Sequence, residues 1–393
     1  MPFKVNRPHS ISIARLLGGF AALALAVTAV WSGAQDKPKP ASGKDIFRFD
    51  TFGNETFWTD TLRMHEVIAQ SVDPTTALSV GLKVDADALP PGILKTADLK
   101  SPATTVALLK MNAVVGLKGT VVTKDGKDTL MRVGITCALC HSTVDDSVAP
   151  GIGKRVDGRP NLTLNPGAII ALSPAVDASK KAVYKSWGPG KYEPRFNQDG
   201  KNWPVLIPPA YGLAGVKMAT YTGDGDISYW NNYVAVTQMG GHGSFKEPRL
   251  GIDVAAKGED LVKPALPALR DYQHSLPAPA PPAGSFDAAA ADRGRAVFTQ
   301  SCESCHVGVT GTDNNDGVLH DPADTGMDAA YAARTANKKY RTTPLRGLWQ
   351  HPPYFHDGSA KTLADVVAHY NKVRKLSLTS AQQKDLEEFL KTL

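Results

Sequence analysis

Two five-residue runs hold the chemistry legible in this chain: "CALCH" at 137–141 and "CESCH" at 302–306. All four cysteines fall inside these pentads, so none is left over. A C-x-x-C-H spacing admits a zinc site, a dithiol redox couple or a covalently attached haem. A zinc ribbon would bring its pairs closer than the 165 positions separating Cys137 from Cys302. A dithiol couple expects a βαβ context and gives the histidine no task. Haem attachment uses every residue: two thiols one helical turn apart each add to a vinyl group of one porphyrin, and the adjoining imidazole can bind iron. The pentads therefore predict two covalently bound haem c groups, attached at Cys137, Cys140, Cys302 and Cys305, with His141 and His306 as iron ligands.

An iron held by histidine keeps a sixth position, filled by Met, His or Tyr in an electron carrier and left open where a substrate reacts. In "TLADVVAHYN", Leu363, Val366, Val367 and Tyr370 fall at i, i+3, i+4 and i+7, which puts Tyr370 on an inward helix face and turns His369 away. Tyr370 is the candidate sixth ligand at the second haem, against the alternative of a buried core tyrosine. For the first haem the candidate is Met239, 14 residues past Gly225 as Tyr370 is 12 past Gly358. Its rivals are His242 and an unfilled site. Met111, Met131 and Met218 read as core or edge residues, and His65, His274, His320 and His351 as surface or satisfied core side chains.

These groups need a frame. The chain has 393 residues, 42% of them apolar and 21% charged, enough for two globular domains of ordinary composition. Lys4, Arg7 and Arg15 precede the apolar run "LLGGFAALALAVTAVW", and small residues follow. Residues 1–34 thus read as a secretory signal peptide, with an uncleaved membrane anchor as the alternative. Cleavage takes three basic and no acidic residues from a formal charge of +6 and leaves +3, which argues against a nucleic-acid partner. Export implies a periplasmic location, with the membrane engaged only through the signal or anchor.

The stretch "ETFWTDTLRMHEVIAQ" predicts one long helix, and "LKGTVVTKDGKDTLMRVGIT" a hairpin around a Lys-Asp-Gly turn leading into the first pentad. The second pentad follows a helix capped by Ser285 or Asp287, in which Gly294 and Phe298 lie one turn apart. "SLPAPAPPAGSF" reads as a stiff connector. The domain plan is a haem c domain over 46–274, a Pro/Ala linker over 275–285 and a second haem domain over 286–393. A weak repeat supports it: "LPALRDYQHSL" and "KDLEEFLKTL" share their apolar steps as closing helices, the second with a capping box at Ser380 and Gln383. "YGLAGVKMATYTGDG" and "RGLWQHPPYFHDG" match as well. The fold class is mainly α, two cytochrome c-like domains, the first enlarged by a β-hairpin and long loops.

"GRAVFTQSCESCH", "YRTTPLRGLWQHPPYFHDGSAKTLADVVAHYN" and "LTSAQQKDLEEFLKTL" resemble the C-terminal cytochrome c domain of the bacterial di-haem cytochrome c peroxidase and MauG family, over about 110 residues, 286–393. The resemblance implies a haem that exchanges electrons with a second haem where hydrogen peroxide reacts. Tyr370 stands at the position that carries Met in the peroxidases and Tyr in MauG, which supports it as a ligand. The N-terminal region departs from that family. About 100 residues lie between the signal segment and Cys137, and no peroxidatic acid or glutamine is recognisable there.

Two functions emerge as expectations. One is an exported di-haem oxidoreductase that reduces a small oxidant such as hydrogen peroxide with electrons from a small redox protein. The other is a non-catalytic periplasmic electron-transfer cytochrome with both irons six-coordinate, trading electrons with donor and acceptor proteins.

Overall fold

A computed structural model describes residues 41–393; the signal-peptide expectation at 1–34 lies outside the described residues. In chain order the elements that build the site are α1 (Gly43–Phe49), α2 (Met64–Ser71), α3 (Pro102–Lys110), the strands β1 (Leu117–Lys124) and β2 (Lys127–Ile135), α4 (Ala138–His141), and the short strands β3 (Lys191–Tyr192) and β4 (Val205–Leu206). Then come α5 (Ile227–Thr237), α6 (Leu266–Ser275), α7 (Ala288–Ser301), α8 (Leu363–Val373) and α9 (Ser380–Leu390). Among the described residues the strands form five two-stranded sheets, so the architecture is mixed, with more strand pairing than the single hairpin expected. No helix among them is long and apolar enough to cross a membrane.

One helix arrangement occurs twice. α1 crosses α6 at Gly43, where a Cβ would stand 2.0 Å from the Ala268 carbonyl oxygen and 2.7 Å from Tyr272 Cβ. Phe47, one turn on and fully buried, meets the Tyr272 ring edge-on at 5.6 Å. α7 crosses α9 in the same way: a Cβ on Gly294 would stand 1.9 Å from the Asp385 carbonyl oxygen, and Phe298 packs on Phe389 at 5.0 Å. Only glycine lets two helix backbones approach this closely, and the phenylalanine one turn later fills the wedge beside the crossing. α5 packs on α6 as α8 packs on α9, completing two three-helix sets. The opening helices share Gly-x-x-x-Phe, "GKDIF" and "GRAVF", so the repeat extends beyond the closing helices to the opening ones.

The copies differ between the opening helix and the pentad. α7 runs straight into the second pentad, whereas α2, α3 and the β1–β2 hairpin separate α1 from the first. Asp125 and Gly126, both with positive φ, make the hairpin turn. β2 ends at Ile135 and delivers the chain to Cys137, as expected from the alternation.

The single helix predicted over 55–70 is instead two pieces: a π-type turn at Thr56–Thr61 and α2, with left-handed Arg63 between them. The physical reason is the open edge of β2. Asn54 exchanges two hydrogen bonds with the Ile135 backbone, at 2.8 and 3.0 Å, and Thr59 does the same with Val133 at 3.0 and 2.9 Å. These side chains act as a short substitute strand, and satisfying buried β2 groups outweighs helical continuity. Two capping details also resolve. Asp287, not Ser285, caps α7, and the capping box of α9 is Thr379 with Gln382, one residue before the pair expected.

The largest apolar core runs from Ile46 to Leu269 and a second from Phe298 to Leu390. A buried ion network links the two stretches of chain. Arg334 forks onto Glu193 at 3.1 and 3.2 Å and onto Asp199 at 2.7 and 2.9 Å, while Arg195 reaches Asp224 at 3.1 Å and the Arg334 carbonyl at 2.7 Å. Residues 276–287, around the expected linker, form no regular helix or strand, and Trp349 donates to the Pro279 carbonyl.

Candidate functional site

Every cysteine and histidine of both pentads lines one cavity of about 580 Å³, within the range of small-molecule and cofactor sites. Tyr370 and Met239 line it too. His242 does not; its Nε2 meets the Thr56 hydroxyl at 3.0 Å instead.

The two imidazoles are held alike. His141 Nδ1 lies 3.0 Å from the Pro208 carbonyl oxygen, and His306 Nδ1 lies 3.0 Å from that of Gly311. A carbonyl oxygen only accepts, so each Nδ1 carries the proton and each Nε2 keeps its lone pair. Burial lowers the His141 pKa to about 4, against the smaller opposing pull of its hydrogen bond, and burial likewise pushes His306 below its ordinary value. Both rings are therefore neutral near pH 7, oriented by a backbone partner, with a nitrogen free to bind metal.

Three of the four thiols are not poised as thiolates. Burial pushes Cys137 and Cys140 up to about 12 and Cys302 to about 11. Such groups are weak nucleophiles and weak zinc donors. Among the described residues, three metal-ligating side chains converge within 4.8 Å at Cys305, Asp313 and His320. That group takes one cysteine from the second pentad and none from the first, and Asp313 and His320 are already bonded to each other at 3.0 Å. Four tetrahedral zinc donors are not assembled at either pentad.

α5 and α8 line the cavity with matching faces. Asp226 caps α5 and Thr362 caps α8, each accepting from the backbone three residues on. Counted from these caps, Ile227, Trp230, Asn231, Val234 and Gln238 line the cavity on one helix, and Leu363, Val366, Val367, Tyr370 and Arg374 at the same positions on the other. Val234 thus occupies the register of Tyr370. Met239 lies beyond the end of α5, buried, with its carbonyl accepting from the Trp58 indole at 3.0 Å. Tyr370 sits against Phe355 and His369, and burial pushes its phenol to about 12. His369 turns away as expected and bonds the Thr325 carbonyl at 2.8 Å.

A polar patch borders Val234. The Tyr192 hydroxyl donates to Gln238 Oε1 at 2.9 Å, and Gln238 Nε2 donates to Asn197 Oδ1 at 3.1 Å. Sequence reasoning found no glutamine here because Gln238 acquires its place only when α5 registers against β3.

His320, His351, His356 and Arg341 also line the cavity, and His320 is a satisfied side chain there, its Nε2 3.0 Å from Asp313 and 2.9 Å from the Thr342 hydroxyl. Burial lowers His351 to about 4. His356 is 6% exposed with a buried Nδ1 that has no partner among the described residues, and its ring lies 4.7 Å from Tyr331 and 5.4 Å from Tyr340. The run "HPPYFHDG" belongs to the repeat, yet nothing in its spacing shows that both histidines turn inward.

No family model matches the chain. The sequence has weak homology to the cytochrome-c peroxidase IdrP1 of Denitromonas iodatirespirans, 36% identical over 93 residues, covering 20% of this chain and 24% of that protein. The chain therefore spans about a quarter of the length of the curated relative it matches. Among solved structures it is similar to hydrazine synthase of Kuenenia stuttgartiensis, with TM-score 0.35, 19% identity, and 48% of this chain and 72% of that chain covered. A MauG-like protein associated with microbial copper homeostasis gives TM-score 0.33 and 19% identity, over 48% of this chain and 73% of that chain.

Proposed function

We propose that this protein is an exported, periplasmic di-haem c-type cytochrome with two cytochrome c-like domains, over 46–274 and 286–393, that reduces a small oxidant such as hydrogen peroxide with electrons from a small redox protein. The observation that carries the reading is the single cavity lined by both pentads, with each histidine tied at Nδ1 to a carbonyl and free at Nε2. The residues present fit haem c at both places. Half-buried thiols beside a neutral, oriented imidazole would suit thioether attachment and iron binding better than they suit zinc or thiol exchange. The weak homology to a cytochrome-c peroxidase agrees with it.

When bound, haem c supplies one-electron chemistry at its iron. The chain's residues set how each site uses it. His141 and His306 would hold the two irons, and the hydrogen bond at each Nδ1 raises the donor strength of Nε2 and fixes the ring. On the second helix face Tyr370 offers an oxygen, which suits a six-coordinate, electron-relaying site. On the first, the same register holds Val234, which offers no ligand, and beside it Tyr192 and Gln238, whose protons are given to Gln238, Asn197 and Thr237, offer acceptor oxygens to a small polar guest. This asymmetry favours the enzyme over the pure carrier, in which Met239 would close the first site. Electron paramagnetic resonance of the oxidised protein separates them. A high-spin signal that hydrogen peroxide abolishes supports the enzyme; two low-spin signals indifferent to peroxide support the carrier.

A further inference from the structure

Buried arginines elsewhere in the fold face carboxylates. Arg155 meets Asp85 at 3.0 Å, Arg195 meets Asp224 at 3.1 Å and Arg334 meets Glu193 at 3.1 Å. Arg341 is different. Its backbone N–H donates to the Tyr221 carbonyl and its Nη1 to the Met218 carbonyl, while its buried Nε has no partner and no carboxylate lies within ion-pair distance among the described residues. Arg341 lines the cavity shared by both pentads. An uncompensated charge in such surroundings is strongly disfavoured, so the arrangement is complete only when an anion enters the cavity. A planar fork with one edge already fixed on a carbonyl is built to receive a planar carboxylate.

We propose that Arg341 is a carboxylate receptor whose ligand is a haem propionate, so that it anchors and electrostatically tunes one of the two haems. The inference rests on the reading of the pentads as haem sites. Arg341 leads directly into Thr342 and Thr343, the latter with its backbone toward His306, and it clamps the 218–221 loop of the other half of the chain. A cation there compensates the propionate charge and favours the reduced iron. The ligand chemistry is a carboxylate in any case, and a diffusible organic acid would supply the same group.

The test uses the full-length exported chain and its Arg341→Gln and Arg341→Lys variants, each assayed for haem per chain and then titrated potentiometrically with optical detection. The proposal expects one midpoint potential to fall in Arg341→Gln and to recover in large part in Arg341→Lys, with haem present in both. Acetate is then added to the parent and to Arg341→Gln. A parent response that the Gln variant lacks, together with unshifted potentials, keeps the receptor but assigns it a diffusible carboxylate and overturns the propionate. Potentials unchanged in haem-loaded Arg341→Gln, with no acetate response in the parent, overturn both. If Arg341→Gln does not accumulate, Arg341→Met, which also removes the charge at similar length, takes its place, with the same expected fall and the same overturning result. A parent without haem overturns the reading of the pentads instead, an outcome the haem assay separates from the others.

Discussion

His141 Nδ1 sits 3.0 Å from the carbonyl oxygen of Pro208, 67 residues further along the chain. Pro208 lies just beyond β4, whose Leu206 N–H donates at 2.7 Å to the carbonyl of His356, one residue after the Phe355 that packs on Tyr370. A short backbone bridge therefore joins the partner of the first histidine to the surroundings of the second pentad. A site so connected is rigid through covalent bonds and hydrogen bonds rather than through a hydrophobic interface alone.

The helix crossings give a stability prediction. Gly294→Ala places a methyl where 1.9 Å separates it from the Asp385 carbonyl oxygen, so α7 and α9 must part. Overpacking of this kind costs about 1–3 kcal/mol. Thermal unfolding of the variant should show a lowered Tm, and Gly43→Ala should behave alike because Ala268 stands as close. Unchanged Tm values in both would mean that the crossings bear no strain.

Arg334 is expected to be the most sensitive position in the ion network. Arg334→Met leaves Glu193 buried and uncompensated, which costs about 3–5 kcal/mol; urea unfolding measures it. Arg334→Lys should recover only part, since an ammonium cannot fork onto two carboxylates. The parent should also lose stability in acid. Burial alone would raise the Asp199 pKa, but the hydrogen bond and charge of Arg334 hold it below the ordinary value. A depressed carboxylate stabilises the fold above its unfolded pKa of about 4 and ceases to as pH falls through the folded value. That part of the acid sensitivity should vanish in Arg334→Met.

His351 predicts a second, milder acid limb. Burial holds its folded pKa at about 4, below the unfolded 6.5, so the unfolded chain takes up its proton first as pH falls. Stability present above pH 6.5 should decline between about 6.5 and 4 and level off below. His351→Gln should flatten that segment of the stability profile while leaving the alkaline side unchanged.

Tyr370→Phe isolates the oxygen on α8 from its ring. If the phenol oxygen closes the second site, the variant should lose one low-spin signal in electron paramagnetic resonance while unfolding within about 1 kcal/mol of the parent, since the buried ring is kept. A core tyrosine would leave the spectrum as it was.

The pentads, the hairpin and the closing helices are legible in the sequence because each rests on local pattern: fixed cysteine spacing, strict alternation around a Lys-Asp-Gly turn, and apolar steps of three and four. The opening helix of the first copy escapes notice because "GKDIF" looks ordinary until a long insertion is seen to separate it from its pentad. The break at Arg63 is illegible for a related reason. Asn54 and Thr59 leave helical continuity only because β2, more than 70 residues away, presents unpaired backbone groups to them. Arg341 and His356 carry no local signal at all, since their partners and their lack of partners are set by loops far away in sequence.

The central claim is that each cysteine pair carries a porphyrin through thioether bonds. Intact mass spectrometry of the denatured, exported chain tests it most directly. The processed polypeptide should carry the mass of two haem groups, falling by one haem in Cys302→Ala/Cys305→Ala and by one in Cys137→Ala/Cys140→Ala. A polypeptide mass with no such additions, obtained from a host that matures c-type cytochromes, contradicts it.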